Sequence, residues 1–185
     1  MKKSPAQTIV ESHGAQRDPD LPTFLELSAA LTGFSEVELE GTGMLDEYFY
    51  TLMKEQDHEG VRAFLKKAGD ILDGKRNVKA AIKAAFMDPP PGLTDPNPPF
   101  DVMPHQALAR RIILLWYTGV WTTMNWKETK SQDQRTSIVS ARAYEEGLIW
   151  MVAQTHPAGA KQPGYGSWSR PPLGADQSRD KHGKH

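Results

Sequence analysis

Between Ala107 and Trp121 the chain reads ALARRIILLWYTGVW, and no other stretch restricts the fold so tightly. On a helix, Leu108, Ile112, Leu115 and Trp116 share one face, and Ile113 and Leu114 widen it. That is the spacing of a helix buried around most of its circumference. Pro104 falls where a first-turn proline is tolerated, because its missing N–H would have had no helical partner. Gly119 lies just past the end, where a left-handed cap costs least in glycine. Arg110 and Arg111 are expected to leave this helix on its thin polar side. A helix from about 104 to 118 is therefore the expected central post.

Shorter amphipathic helices precede it. Pro22 opens the first, with Phe24, Leu27 and Leu31 on one face and Gly33 as its stop. Ser35 and Glu38 have capping-box spacing, and Gly41 and Gly43 are expected to break the helix they open. Met44, Leu45, Tyr48, Phe49, Leu52 and Met53 form the next stripe. Asp57 is placed to cap a helix carrying Val61, Phe64, Leu65, Ala68, Ile71 and Leu72, closed at Asp73-Gly74. Asn77 caps a shorter one with Val78, Ala81, Ile82 and Phe86 inward.

From Asp88 to Pro99 the chain reads DPPPGLTDPNPP; six prolines in twelve residues forbid a helix and favour extended or turn geometry. After the central helix, Lys127 to Arg135 reads as a polar loop. A last helix is expected over about 138–153, with Ala141, Tyr144, Leu148, Met151 and Val152 buried. No alternating strand pattern of useful length is found. The expected fold is all-α, a small helical bundle around the 104–118 helix. It divides into a flexible tail (1–19), a helical domain (20–153), an extended Pro/Gly-rich arm (154–172) and a disordered tail (173–185).

After Gln154 the chain reads THPAGAKQPGYGSWSRPPLG, which resists regular structure yet carries Tyr165 and Trp168. Extended, residues 154–172 span roughly 60 Å. A compact domain of the remaining size is only about 40 Å across, so the arm can cross its own domain or reach a partner. Tyr and Trp dominate binding hot spots, which marks Trp168 and Tyr165 as candidate anchors.

Composition removes several function classes. The 185 residues contain no cysteine, which excludes disulfides, thiolate metal sites and a cysteine nucleophile. A net charge of −1 and the lack of a basic stripe argue against a general nucleic-acid binder. The apolar run Ile112 to Tyr117 is far short of the ~20 residues of a membrane span. The N-terminal MKKSPAQTIVESHGAQ has neither an apolar h-region nor a twin arginine, so the expectation is a cytoplasmic protein or a chain whose signal has been removed.

No catalytic constellation emerges. Of the histidines, His13, His182 and His185 fall in the tails, His58 starts a helix, and His105 lies in the first turn of the central one. None pairs with another ligand at the i, i+4 spacing of a helix-borne metal site. Glu145 and Glu146 point about 100° apart on a helix and cannot face one substrate; a solvated face, with one of them pairing Arg142, is expected. Lys127, Lys130 and Arg135 suit a solvated loop. No nucleophile elbow, phosphate loop or dinucleotide fingerprint is present. No catalytic, cofactor-binding or metal-ligating residue is assigned.

Trp116, Tyr117, Trp121, Trp126 and Trp150 cluster around the last two helices, with Trp116 and Trp150 expected in the core. Leu31-Thr32-Gly33, Trp116-Tyr117-Thr118-Gly119, Tyr144-Glu145-Glu146-Gly147-Leu148 and the run from His156 to Trp168, with Pro171-Pro172 behind it, occur in that order. In these residues the chain is similar to the small subunit of membrane-bound, flavin-dependent sugar and polyol dehydrogenases, the sorbitol- and fructose-dehydrogenase type. The similarity runs from Phe24 to Pro172. It implies a periplasmic three-part enzyme, held at the inner membrane through its partners. In it a large subunit carries FAD and oxidises the sugar, and a multihaem cytochrome c subunit passes electrons to quinone. The small subunit holds no redox cofactor and supports folding and export of the large one. Small subunits of this family commonly bring the twin-arginine signal, which implies either trimming or another export route here. Leu31, Thr32, Gly33, Trp116, Tyr117 and Gly119 are then structural. His156, Pro157, Lys161, Gln162, Pro163, Gly164, Tyr165 and Trp168 form the expected partner interface. The alternative is a stand-alone helical ligand-binding module or enzyme, with an aromatic pocket near Trp116 and Trp150.

Overall fold

The structure is a computed structural model describing residues 17–74, 77–88, 104–122 and 136–161. Among them are eight helices and one two-stranded ladder, an all-α fold in class. The helices are α1 (Leu21–Thr32), α2 (Glu36–Gly41), α3 (Leu45–Glu55), α4 (His58–Gly74), α5 (Val78–Phe86), α6 (Pro104–Thr118), α7 (Ala141–Glu145) and α8 (Leu148–Val152). Strands β1 (Val120–Thr122) and β2 (Thr136–Ile138) lie between α6 and α7. The chain forms two compact units, Met1–Ala109 and Arg110–His185, and the division falls within α6.

In the first unit, local chemistry sets each helix end. Gly33 closes α1 at φ 83° and donates its N–H to Ala29 O. Ser35 and Glu38 form a reciprocal capping box on α2. Asp57 Oδ2 accepts from Gly60 N at 2.8 Å at the start of α4, and Asn77 Oδ1 accepts from Ala80 N at 3.2 Å on α5. Each cap supplies an acceptor for an N–H that has no helical partner. Phe24, Leu27, Leu39, Met44, Tyr48, Leu52, Val61, Phe64, Leu65, Ile82 and Phe86 are buried. Each such side chain contributes on the order of 1.5–3 kcal/mol by leaving water.

The hub of this unit is α1, which packs against α2, α3, α4 and α5, whereas hydrophobic periodicity alone points to 104–118. Small residues explain the difference: Ser28 is buried in α1, and Gly69 of α4 lies opposite Thr23, where an added Cβ would meet the Thr23 methyl at 3.6 Å. Asp18, assigned by composition to the flexible tail, and Asp20 both accept from Arg62 of α4, tying the entry of α1 down.

Helix α6 has the expected bounds, and Gly119 follows it at φ 68° with its N–H on Leu115 O. Ala107, Leu108, Ala109, Ile112, Leu115 and Trp116 are buried, but Leu114 is exposed. Arg111, expected on the polar side, is buried as well.

The second unit departs most from periodicity. A single helix over 138–153 is not formed: Ile138 ends β2, and Glu146-Gly147 separates α7 from α8. Gly147 takes ψ 127°, outside the helical range. Leu148 is buried as expected, but Ala143 is buried in place of Ala141, Tyr144 is half-buried, and Met151 and Val152 are exposed. The strands, too short to show alternation, pair antiparallel with Val120 opposite Ile138, Trp121 opposite Ser137 and Thr122 opposite Thr136.

Candidate functional site: the aromatic and glycine joint at the root of the arm

Two segments far apart in sequence, Trp116–Gly119 and Tyr144–Leu148, meet through glycines in the second unit. A Cβ on Gly119 would lie 2.4 Å from the carbonyl of Ala143, and one on Gly147 would lie 2.8 Å from Tyr117 O. Only a residue without a side chain permits backbones this close. Ser140 caps α7 by accepting from Ala143 N at 3.0 Å, which holds Ala143 in place against Gly119.

Beyond this contact the chain doubles back. Trp150 Nε1 donates to Tyr144 O at 2.7 Å, and the two rings stand edge to face at 5.3 Å. Gln154, at φ 52°, turns the chain after α8, and Thr155 N returns to Trp150 O at 2.9 Å. The first residues of the arm then fasten onto α7 and the break that follows it. Ala158 N donates to the Tyr144 hydroxyl at 3.2 Å, and Lys161 Nζ pairs with Glu146 Oε2 at 2.8 Å. Pro157 is buried and His156 is half-buried, its Nδ1 3.1 Å from Pro157 O. Of the expected interface residues, His156, Pro157 and Lys161 are thus brought together at the α7–α8 joint. Gln162, Pro163, Gly164, Tyr165 and Trp168 lie outside the described residues, as do Trp126 and the Lys127–Arg135 stretch.

The remaining aromatics have separate surroundings. Trp116 and Trp121 are buried, and the Arg111 guanidinium stands 5.6 Å from the centre of the Trp121 ring. Burial lowers the Arg111 pKa to about 10, so it remains a cation at neutral pH. Sequence polarity gives no sign of this inward arginine; the signal available is the run of aromatics that comes after it. Exposed apolar side chains in this unit include Ile149, Met151 and Val152 of α8.

In the first unit, Leu31-Thr32-Gly33 is a helix end. The Thr32 hydroxyl donates to Ser28 O at 2.7 Å, and Gly33 has open space around its α-carbon. His105 is half-buried against the rings of Phe64 and Phe86. His58 is exposed at the start of α4. Among the described residues no three His, Asp or Glu side chains gather as a metal site, and no helix is long and apolar enough to cross a membrane.

Compared with known proteins, the chain matches no family profile, no curated protein and no solved structure.

Proposed function

We propose that this chain is the non-catalytic small subunit of a periplasmic, membrane-associated, flavin-dependent sugar or polyol dehydrogenase complex. It supports folding, export and stability of an FAD-bearing large subunit. FAD and haem c belong to the large subunit and to a multihaem cytochrome c subunit, and the membrane is reached only through these partners.

The observation that carries the reading is the moored root of the arm. Trp116–Gly119 and Tyr144–Leu148, two of the segments on which the family resemblance rests, close on each other through Gly119 and Gly147. Tyr144 and Glu146 of the same joint hold Ala158 and Lys161. A Pro/Gly-rich arm leaving a fixed base loses less conformational entropy on docking than one leaving a loose end. Beside that base, α8 turns Ile149, Met151 and Val152 outward, apolar surface of the kind a partner subunit covers.

Affinity purification of the tagged chain from its native cells tests this. An FAD protein and a haem c protein are expected to co-elute with it, while the chain purified alone carries no flavin absorbance and no dye-linked sugar oxidation. Stoichiometric flavin on the isolated chain, or purification from native cells with no flavoprotein attached, overturns the reading.

A further inference from the structure

We infer that His105 is an acid-sensitive latch, holding the first turn of α6 against α4 and α5 while its imidazole is neutral and letting go when it is protonated. The geometry is that of an aromatic slot. The Phe64 ring of α4 and the Phe86 ring of α5 meet edge to face at 5.0 Å, both fully buried. The imidazole stands 5.7 Å from the first and 6.2 Å from the second. Histidine is half-buried there, so its neutral ring packs as an aromatic and its charged ring must give up hydration.

The charge facing the slot is of the wrong sign to help. Among the described residues, Lys67 of α4 supplies it, with its ammonium 5.5 Å from the centre of the Phe86 ring. From α5 the neighbour is the Phe86 ring itself, and on α6 the flanking Pro104 and Gln106 carry no charge. Burial first, and repulsion from Lys67 second, hold the His105 pKa below the ordinary histidine value.

Linkage fixes the sign. The undocked ring binds a proton more readily than the docked one, so docking contributes fully above the ordinary value near 6.5. That contribution is lost as the pH falls from there through the depressed value of the docked ring. The element that yields is the start of α6. Its first N–H groups have no helical acceptor and Pro104 has no N–H, so this turn carries fewer backbone bonds than the helix interior and ring packing adds to what holds it. Acid therefore releases the beginning of a helix that runs on past Ala109, the limit of the first unit.

Nuclear magnetic resonance on the full chain between pH 7.5 and 5 tests the latch, with the His105 ring signals assigned through H105Q. The expected His105 midpoint lies below the ordinary histidine value. Amide protection at Ala107–Ala109, corrected for intrinsic exchange, should fall several-fold across that range. H105F keeps an aromatic ring in the slot and removes the proton, so its protection there should not vary with pH. K67M should move the His105 midpoint up toward the ordinary value and weaken the pH dependence. A His105 midpoint at or above the ordinary value overturns the latch, and so does H105F retaining the wild-type acid response. Should H105F fail to fold, the wild-type midpoint and its response to K67M decide the matter.

Discussion

Gly119 faces Ala143 so closely that a methyl group on its α-carbon would stand 2.4 Å from both the carbonyl carbon and the carbonyl oxygen. Those are backbone atoms of a capped helix and cannot swing aside as a flexible side chain would.

Three glycines separate backbone strain from collision. Gly33 sits at φ 83° with open space around it, so G33A should lose only the left-handed penalty, roughly 1–2 kcal/mol. Gly147, at φ −55°, meets only the close approach to Tyr117 O, and G147A should lose about 1–3 kcal/mol by overpacking. Gly119 combines both, so G119A should lose roughly 2–5 kcal/mol. All five tryptophans lie in Arg110–His185, so tryptophan fluorescence in a urea titration reads the second unit directly. Circular dichroism reads G33A in the first. Equal losses for G33A and G119A would show that the Ala143 contact can relax.

At Arg111, two substitutions should have different outcomes. Its guanidinium is held away from water 5.6 Å from the centre of the Trp121 ring, so one substitution can remove the charge alone and another both charge and bulk. R111M keeps most of the volume against the indole and should cost the second unit less fluorescence-monitored stability than R111A does. R111A leaves a cavity and should lose roughly 2–4 kcal/mol. If R111M is as damaging as R111A, the guanidinium itself, not its bulk, holds this region together.

The contrast between the two units shows what a sequence can display. Helices α1 to α6 are legible because apolar stripes mark α1 and α3 to α6 and local caps mark all but α3: Ser35 with Glu38, Asp57, Asn77, Gly33 and Gly119 all act within four residues of the groups they satisfy. The break at Gly147 answers to Tyr117, thirty residues away, and local periodicity cannot register it. Met151 and Val152 fit a helical stripe that would continue Ala141 and Tyr144, yet the break rotates them outward. Arg111 is legible as polar but not as buried, because its burial is a tertiary relation to Trp121. The aromatic slot around His105 is hidden for the same reason, its walls coming from two other helices. At the candidate site, composition marks where the arm begins, whereas its mooring through Ala158 and Lys161 rests on hydrogen bonds that composition does not encode.

The Tyr144 hydroxyl can be removed without disturbing its ring. Y144F keeps the edge-to-face contact with Trp150 and loses the acceptor for Ala158 N. The bond lies at the surface, so its net contribution is about 0.5–1.5 kcal/mol and the helices should be unaffected. Limited proteolysis is the sensitive readout: cleavage between Thr155 and Lys161 should quicken several-fold while circular dichroism stays unchanged. An unaltered cleavage rate would mean that Pro157 burial and the Lys161–Glu146 pair suffice to hold the root.

Two truncations distinguish the root of the arm from the rest of it. The residues up to Lys161 are part of the second unit's packing: Pro157 is buried, Ala158 is bonded to Tyr144, and Lys161 is paired with Glu146. A chain ending after Gln154 loses all three contacts, uncovers the surface beneath Pro157 and should show a lower melting temperature. A chain ending after Lys161 keeps them and should match the full chain in helical circular dichroism and melting temperature. It lacks Tyr165 and Trp168, however, and burying a side chain the size of Trp is worth on the order of 2–3 kcal/mol. If these two aromatics grip the flavoprotein, losing them removes the anchors of the interface while the base stays intact. The chain ending after Lys161 should then fail to co-purify with the flavoprotein although it is folded. Retention of the flavoprotein by that chain would move the grip to another surface, with the exposed Ile149, Met151 and Val152 of α8 the next to be changed. A lowered melting temperature for that same chain would instead make Tyr165 and Trp168 part of this protein's own packing.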